Sequence, residues 1–133
     1  MSGSASSLVG RDLLSVADLT AAEVLRVYDT AAELKSEFRA TRRHAVPRLP
    51  GRTLAMLFQK PSLRTRVTFE AGMAQLGGHA IYLTNDVVLG ARESVRDVAH
   101  NLERLVDAIV VRTGPHEVAL ELAAQAGSRS STA

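Results

Sequence analysis

What most constrains this chain is an alternation. Short continuous apolar runs of strand length are separated by longer stretches with helical spacing. Thr53-Leu54-Ala55-Met56-Leu57-Phe58 is the clearest run, with no polar residue after the threonine. A strand with one wet face would alternate apolar and polar, whereas an unbroken run suits a strand buried on both faces. Ala80-Ile81-Tyr82-Leu83 and Ala108-Ile109-Val110-Val111 are two more runs of this kind. Between them, Arg66 to Leu76 reads as a mostly apolar helix stopped by Gly77-Gly78. Val95, Val98, Ala99, Leu102 and Leu105 mark one face of another helix, and His116 to Ala126 reads as a final one. Strands alternating with helices predict an α/β fold, a parallel sheet with helices on both faces. Ligands of such sheets bind outside the carboxyl ends of the strands.

Upstream of this pattern, residues 1–10 are small and polar and are expected to be flexible. Thr20-Ala21-Ala22-Glu23 has the spacing of a capping box, with Thr20 as N-cap and Glu23 at the third helical position. Val24, Val27, Tyr28, Ala31, Leu34 and Phe38 then recur at three or four residues, which is one helix face. That helix should end between Arg39 and His44, ahead of Pro47. Leu49-Pro50-Gly51 marks a turn, and Thr84 to Arg92 reads as a loop.

The stretch with most chemical content lies between the first strand and the helix that follows. Ser62-Leu63-Arg64-Thr65-Arg66 packs two hydroxyls and two guanidinium groups into five residues. A helix start offers free N–H groups and the positive end of the dipole, so it attracts anions. Arginine adds planar, permanently charged donors that fit phosphate oxygens. The pattern reads as a phosphate-binding turn at the carboxyl end of a strand. The same five residues also fit a plain N-cap followed by two solvated arginines, and spacing alone does not choose.

Composition excludes several classes. With 133 residues the chain is expected to form one domain at most. Its 46% apolar and 23% charged residues are those of a globular chain, not a disordered one. A net charge of +2 is a weak argument for nucleic acid, and the Arg39-Ala40-Thr41-Arg42-Arg43 run fits a solvated helix end beside the negative end of the dipole. There is no cysteine, hence no disulfide framework and no thiolate metal site. No apolar run approaches the roughly 18 residues that span a bilayer, so no membrane partner and a cytoplasmic location are expected. His44, His79, His100 and His116 have no metal-ligand spacing and read as structural or surface residues.

Four motifs stand in order along the chain. They are Phe58-Gln59-Lys60-Pro61-Ser62-Leu63-Arg64-Thr65-Arg66-Val67-Thr68-Phe69-Glu70, then Leu76-Gly77-Gly78-His79-Ala80, then Leu89-Gly90-Ala91-Arg92-Glu93-Ser94, then Val106 to Thr113. In order and spacing they closely resemble the amino-terminal half of the ornithine carbamoyltransferases, within the aspartate/ornithine carbamoyltransferase family. The resemblance runs from about Arg11 to Gly127. It implies a carbamoyl-phosphate-binding domain over 11–127, followed by a disordered tail over 128–133. The implied parent reaction converts carbamoyl phosphate and ornithine to citrulline and phosphate, without cofactor or metal, in a homotrimer.

Such a transfer asks the protein to hold a dianion, orient a carbonyl and stabilise developing charge with prearranged donors. The resemblance implies that Ser62, the backbone N–H groups around Leu63, and Thr65 bind the phosphate. It implies that Arg64 binds phosphate and assists its departure, and that Arg112 reaches the carbonyl and phosphate oxygens. Arg64 and Arg112 are therefore the expected catalytic residues. Arg66 reads instead as an ion-pair partner of Glu70 one turn on. Two positions depart from the family pattern. Leu63 stands where a threonine is usual, which removes a hydroxyl but keeps the backbone donor. Val88 stands where a polar residue often reaches a neighbouring subunit's site, a gap that Arg92 could fill.

Family members continue past this point into another strand, a His-Pro-x-Gln motif and a second, amino-acid-binding domain. None of these is in the sequence, so it reads as a truncated product expected to be inactive alone. The absence of lysine in 84–92 and the pair Arg112-Thr113 favour the ornithine branch over aspartate carbamoyltransferases. Acetylornithine-type enzymes, and a non-catalytic anion-binding or assembly module, remain alternatives.

Overall fold

The structure is a computed structural model that describes residues 7–83 and 93–126. The expected loop over 84–92, with Val88 and Arg92, and the expected tail over 128–133 lie outside the described residues. The stretch 11–127, expected as one domain, divides between two compact units, Met1–Arg43 and His44–Ala133.

The first unit is held by local polar contacts. A short 3-10 turn, Val16–Asp18, is capped by Ser15, and the Asp18 carboxylate accepts the N–H groups of Leu14 and Ser15 at 2.8 and 2.9 Å. Helix α1 follows, Ala21–Thr41. Thr20 Oγ1 accepts the Glu23 N–H at 3.2 Å, and Glu23 Oε2 accepts the Thr20 N–H at 2.8 Å, the reciprocal box read from the sequence. Glu23 is only 6% exposed, and Arg11 donates to it at 2.5 Å. A buried carboxylate without such a cation would be costly. The helix ends in Arg42 at φ 61, whose N–H donates to the Phe38 carbonyl and whose guanidinium stacks 4.8 Å above the Phe38 ring. The apolar stripe of α1 remains partly open, with Val27 and Tyr28 exposed. Periodicity identifies such a face but not what covers it.

The second unit contains strands β1 (Thr53–Phe58), β2 (His79–Leu83) and β3 (Ala108–Arg112) and helices α2 (Leu63–Gln75), α3 (Val95–Leu105) and α4 (His116–Ala126). The sheet order is β2-β1-β3, with both pairings parallel. This is the predicted architecture, and the unbroken apolar run of β1 is its central strand. Successive side chains leave a strand on opposite faces. Leu54, Met56 and Phe58 therefore pack with Met73 of α2 and with Ala80, Tyr82 and Val110. Leu57 faces the other way, onto Val95, Val98 and Ala99 of α3 and Leu122 of α4. Residues Leu54 to Phe58 are all buried, as two-sided packing requires.

Two devices fix the ends of these elements. At the close of α2, Gly77 takes φ +88; its N–H donates to the Ala74 carbonyl at 3.2 Å and the Gly78 N–H to the Met73 carbonyl at 2.8 Å. This pair of bonds is a Schellman cap, which is why the two glycines stop the helix. At the amino edge of the sheet, Asp107 accepts the Thr53 N–H and an Arg52 guanidinium N–H, each at 2.8 Å, while its own N–H donates to the Thr53 carbonyl. The Thr53 N–H first, and Arg52 second, hold the Asp107 carboxyl below its ordinary pKa.

One boundary differs from expectation. Helix α2 starts at Leu63, not at Arg66, with Ser62 as an extended N-cap residue and the Arg66 N–H closing the first turn on the Ser62 carbonyl at 3.0 Å. Apolar spacing begins only at Val67, so the first turn carries no hydrophobic signal.

Candidate functional site: an uncapped helix start at the carboxyl edge of the sheet

The earlier helix start puts Leu63, Arg64 and Thr65 in the first turn of α2. Their N–H groups have no partner within the helix. Among the described residues no side chain caps them, because the Ser62 hydroxyl instead donates to Thr65 Oγ1 at 2.9 Å. Ser62 and Thr65 are half-buried, whereas Leu63 and Arg64 are exposed, Leu63 at 79%. A leucine side chain pointing to solvent leaves the backbone donor of that position open.

The charge of this turn is the informative point. The first turns of α1, α3 and α4 carry Glu23, Asp97 and Glu117, the acids that suit the positive end of a helix dipole. The first turn of α2 carries no acid, and has Arg64 and then Arg66 instead. Positive charge beside a positive dipole end is unfavourable in the empty protein. A bound anion reverses that sign for both at once, and phosphate suits both the N–H groups and the guanidinium.

Arg66 has local partners of its own. Its Nε donates to Glu70 Oε1 at 3.1 Å, the expected pair, and its guanidinium lies 3.9 Å above the Tyr82 ring. The ring contact comes from β2 and was not readable from helical spacing. Arg112 is brought to the same edge by strand pairing. It is the last residue of β3, in register with Phe58, and its carbonyl accepts the Gln59 N–H at 2.9 Å. The chain then needs only Lys60 and Pro61 to reach Ser62. All five predicted residues, Ser62, Leu63, Arg64, Thr65 and Arg112, thus belong to two neighbouring strand-to-helix connections at the carboxyl edge.

Sequence reasoning gave Gln59 and Thr113 no role in the site, using Thr113 only to favour the ornithine branch. The Thr113 hydroxyl donates to Gln59 Oε1 at 2.5 Å, joining these two connections across 54 positions of sequence. The signal was present only in that each residue borders a predicted site element. Among the described residues no group of three or more His, Cys, Asp or Glu is placed to hold a metal ion, and no helix is long and apolar enough to cross a membrane.

Comparison with known proteins bears on the family and the fold. Residues 11–131 match the aspartate/ornithine carbamoyltransferase, carbamoyl-P binding domain family. The chain belongs to that family. Among curated relatives, the ornithine carbamoyltransferase of Deinococcus radiodurans is 51% identical over 121 residues, covering 90% of this chain and 38% of the relative. Among solved structures, the ornithine carbamoyltransferase from Pyrococcus furiosus superposes with TM-score 0.86 at 47% identity, over 91% of this chain and 38% of that one. An aspartate transcarbamoylase from Trypanosoma cruzi, solved with phosphate, superposes with TM-score 0.80 at 23% identity over 90% of this chain and 37% of that one, a likeness of fold alone. This carbamoyltransferase-family chain therefore spans a little over a third of the length of the relatives it matches.

Proposed function

We propose that residues 11–127 are the carbamoyl-phosphate-binding domain of an ornithine carbamoyltransferase. The observation that carries this is the start of α2, where open N–H groups coincide with arginine in place of the acid found on the other helices. In this reading Ser62, the Leu63 N–H and Thr65 hold the phosphate oxygens. Arg64 spans phosphate and the bridging oxygen, and Arg112 faces the carbonyl oxygen. The amine nitrogen of ornithine attacks the carbonyl carbon, a C–N bond forms, and negative charge develops on the carbonyl oxygen. The C–O bond to phosphate then breaks, the departing phosphate takes up the proton the amine gives up, and citrulline and hydrogen phosphate result. Each prearranged donor on the developing charge contributes about 2.7–4 kcal/mol where its removal has been measured.

The ornithine branch is supported by the high identity to ornithine carbamoyltransferases and by Arg112 being followed by Thr113. Cytoplasmic location and trimeric assembly belong to the same proposal. Isothermal titration with carbamoyl phosphate tests it, run beside Arg64→Ala and Arg112→Ala. The proposal expects saturable binding that Arg64→Ala abolishes and Arg112→Ala weakens. Absence of saturable binding to the folded chain would overturn it.

A further inference from the structure

We propose that Gln59 and Thr113 form a positioning pair, which sets Arg112 at a fixed place relative to the Ser62–Thr65 turn. The proposal rests on the carbamoyl-phosphate reading above and adds what makes the site discriminate carbamoyl phosphate from bare phosphate. The two halves of the site sit on different connections. Ser62 to Thr65 follow β1, and Arg112 closes β3. The parallel ladder aligns the strands as far as Phe58 and Arg112, and one further bond, from the Gln59 N–H to the Arg112 carbonyl at 2.9 Å, extends it. Beyond that point the backbones diverge, one towards α2 and one towards α4. The Thr113 hydroxyl, donating to Gln59 Oε1 at 2.5 Å, is a side-chain tie across this divergence. The same hydroxyl has a second acceptor at 3.3 Å, the Pro115 carbonyl of its own connection. It carries one proton, so a bond to Pro115 would release Gln59.

The chemistry makes the pair matter in a specific way. In the carbamoyl-phosphate reading the α2 turn supplies most of the donors to the phosphate oxygens, and Arg112 adds to them from β3. The carbonyl oxygen of carbamoyl phosphate lies outside that turn and needs a donor from β3. Loosening the tie therefore leaves the phosphate cradle largely intact and costs the added contact. A positional error of about 1 Å at such a donor is enough to lose much of its effect. Both partners are half-buried, so the tie is shielded from water but open to the ligand's edge.

The test uses the intact chain and two probes, carbamoyl phosphate and inorganic phosphate, titrated calorimetrically. Thr113→Val keeps the shape of threonine and removes the donor, and Gln59→Met keeps the length of glutamine and removes the acceptor. Thr113→Ser restores the hydroxyl. The affinity ratio of carbamoyl phosphate to phosphate should fall roughly threefold to tenfold in Thr113→Val and in Gln59→Met, the scale of one lost hydrogen bond. Thr113→Ser should keep the wild-type ratio, and the double variant should lose no more than either single one. A merely structural tie would lower the melting temperature and leave the ratio unchanged, which would overturn this inference while leaving the carbamoyl-phosphate reading intact. Failure of the wild-type chain to bind carbamoyl phosphate would overturn both.

Discussion

Gly72 inside α2 and Gly77 just past its end should respond to the same substitution with opposite sign. Gly77 stands at φ +88, and a Cβ built there lies 2.8 Å from the Cβ of Pro47. An L-residue in the left-handed region costs about 1–2 kcal/mol. The contact adds a steric term, because the proline ring cannot rotate away, and overpacking of this kind costs about 1–3 kcal/mol. Gly77→Ala should therefore destabilise by about 2–5 kcal/mol, the sum of the two ranges. Gly72 lies inside the same helix with no heavy atom within 4 Å of an added Cβ. There alanine lowers the entropy of the unfolded chain and supports the helix, so Gly72→Ala should stabilise by about 0.4–1 kcal/mol. Urea unfolding followed by circular dichroism reads both from the midpoints at a common slope. Gly77→Ala within about 0.5 kcal/mol of wild type, or midpoints that move in the same direction, would refute the assignment of the Schellman cap and its contact with Pro47.

Other residues give further expectations. Met56 is fully buried between β1's neighbours and α2, so Met56→Ala should cost about 2–5 kcal/mol in the same unfolding assay. Asp107 has a folded pKa lowered from 3.8, so its contribution is fully present above that value and is lost as pH falls through the lower folded pKa. Asp107→Asn should flatten the fall of the urea midpoint on acidification below about pH 4, whereas an unchanged acid limb would contradict the clamp. Arg66 bonds Glu70 and stacks on Tyr82, so Arg66→Ala should cost about 1 kcal/mol of stability yet leave carbamoyl-phosphate affinity within about threefold.

What could be read from the sequence was what local pattern carries. The six residues of β1 were legible because a central strand buried on both faces is apolar throughout. The start of α1 was legible because Thr20 and Glu23 form a reciprocal box three residues apart. The start of α2 was not, because Leu63 and Arg64 are exposed and Thr65 is polar, so the first turn breaks the apolar spacing. Long-range contacts left no local trace. Asp107 reaches Thr53 and Thr113 reaches Gln59 across 54 positions each, and only strand order brings them together. The candidate site was legible as residue types, two hydroxyls and two arginines. The pairing of Arg66 with Glu70 was legible from their spacing of one turn, but the stacking of Arg66 on Tyr82 was not, because that ring comes from β2.

The central claim is that the first turn of α2 binds the phosphate of carbamoyl phosphate, with the end of β3 beside it. Titration of the 15N-labelled chain with carbamoyl phosphate, read by amide chemical shifts, tests this residue by residue. The account predicts the largest shifts at the N–H groups of Leu63, Arg64 and Thr65, smaller ones at Arg112 and Thr113, and silence at the capped starts of α1 and α3. Saturable shifts elsewhere, with Leu63 to Thr65 unmoved, would contradict it.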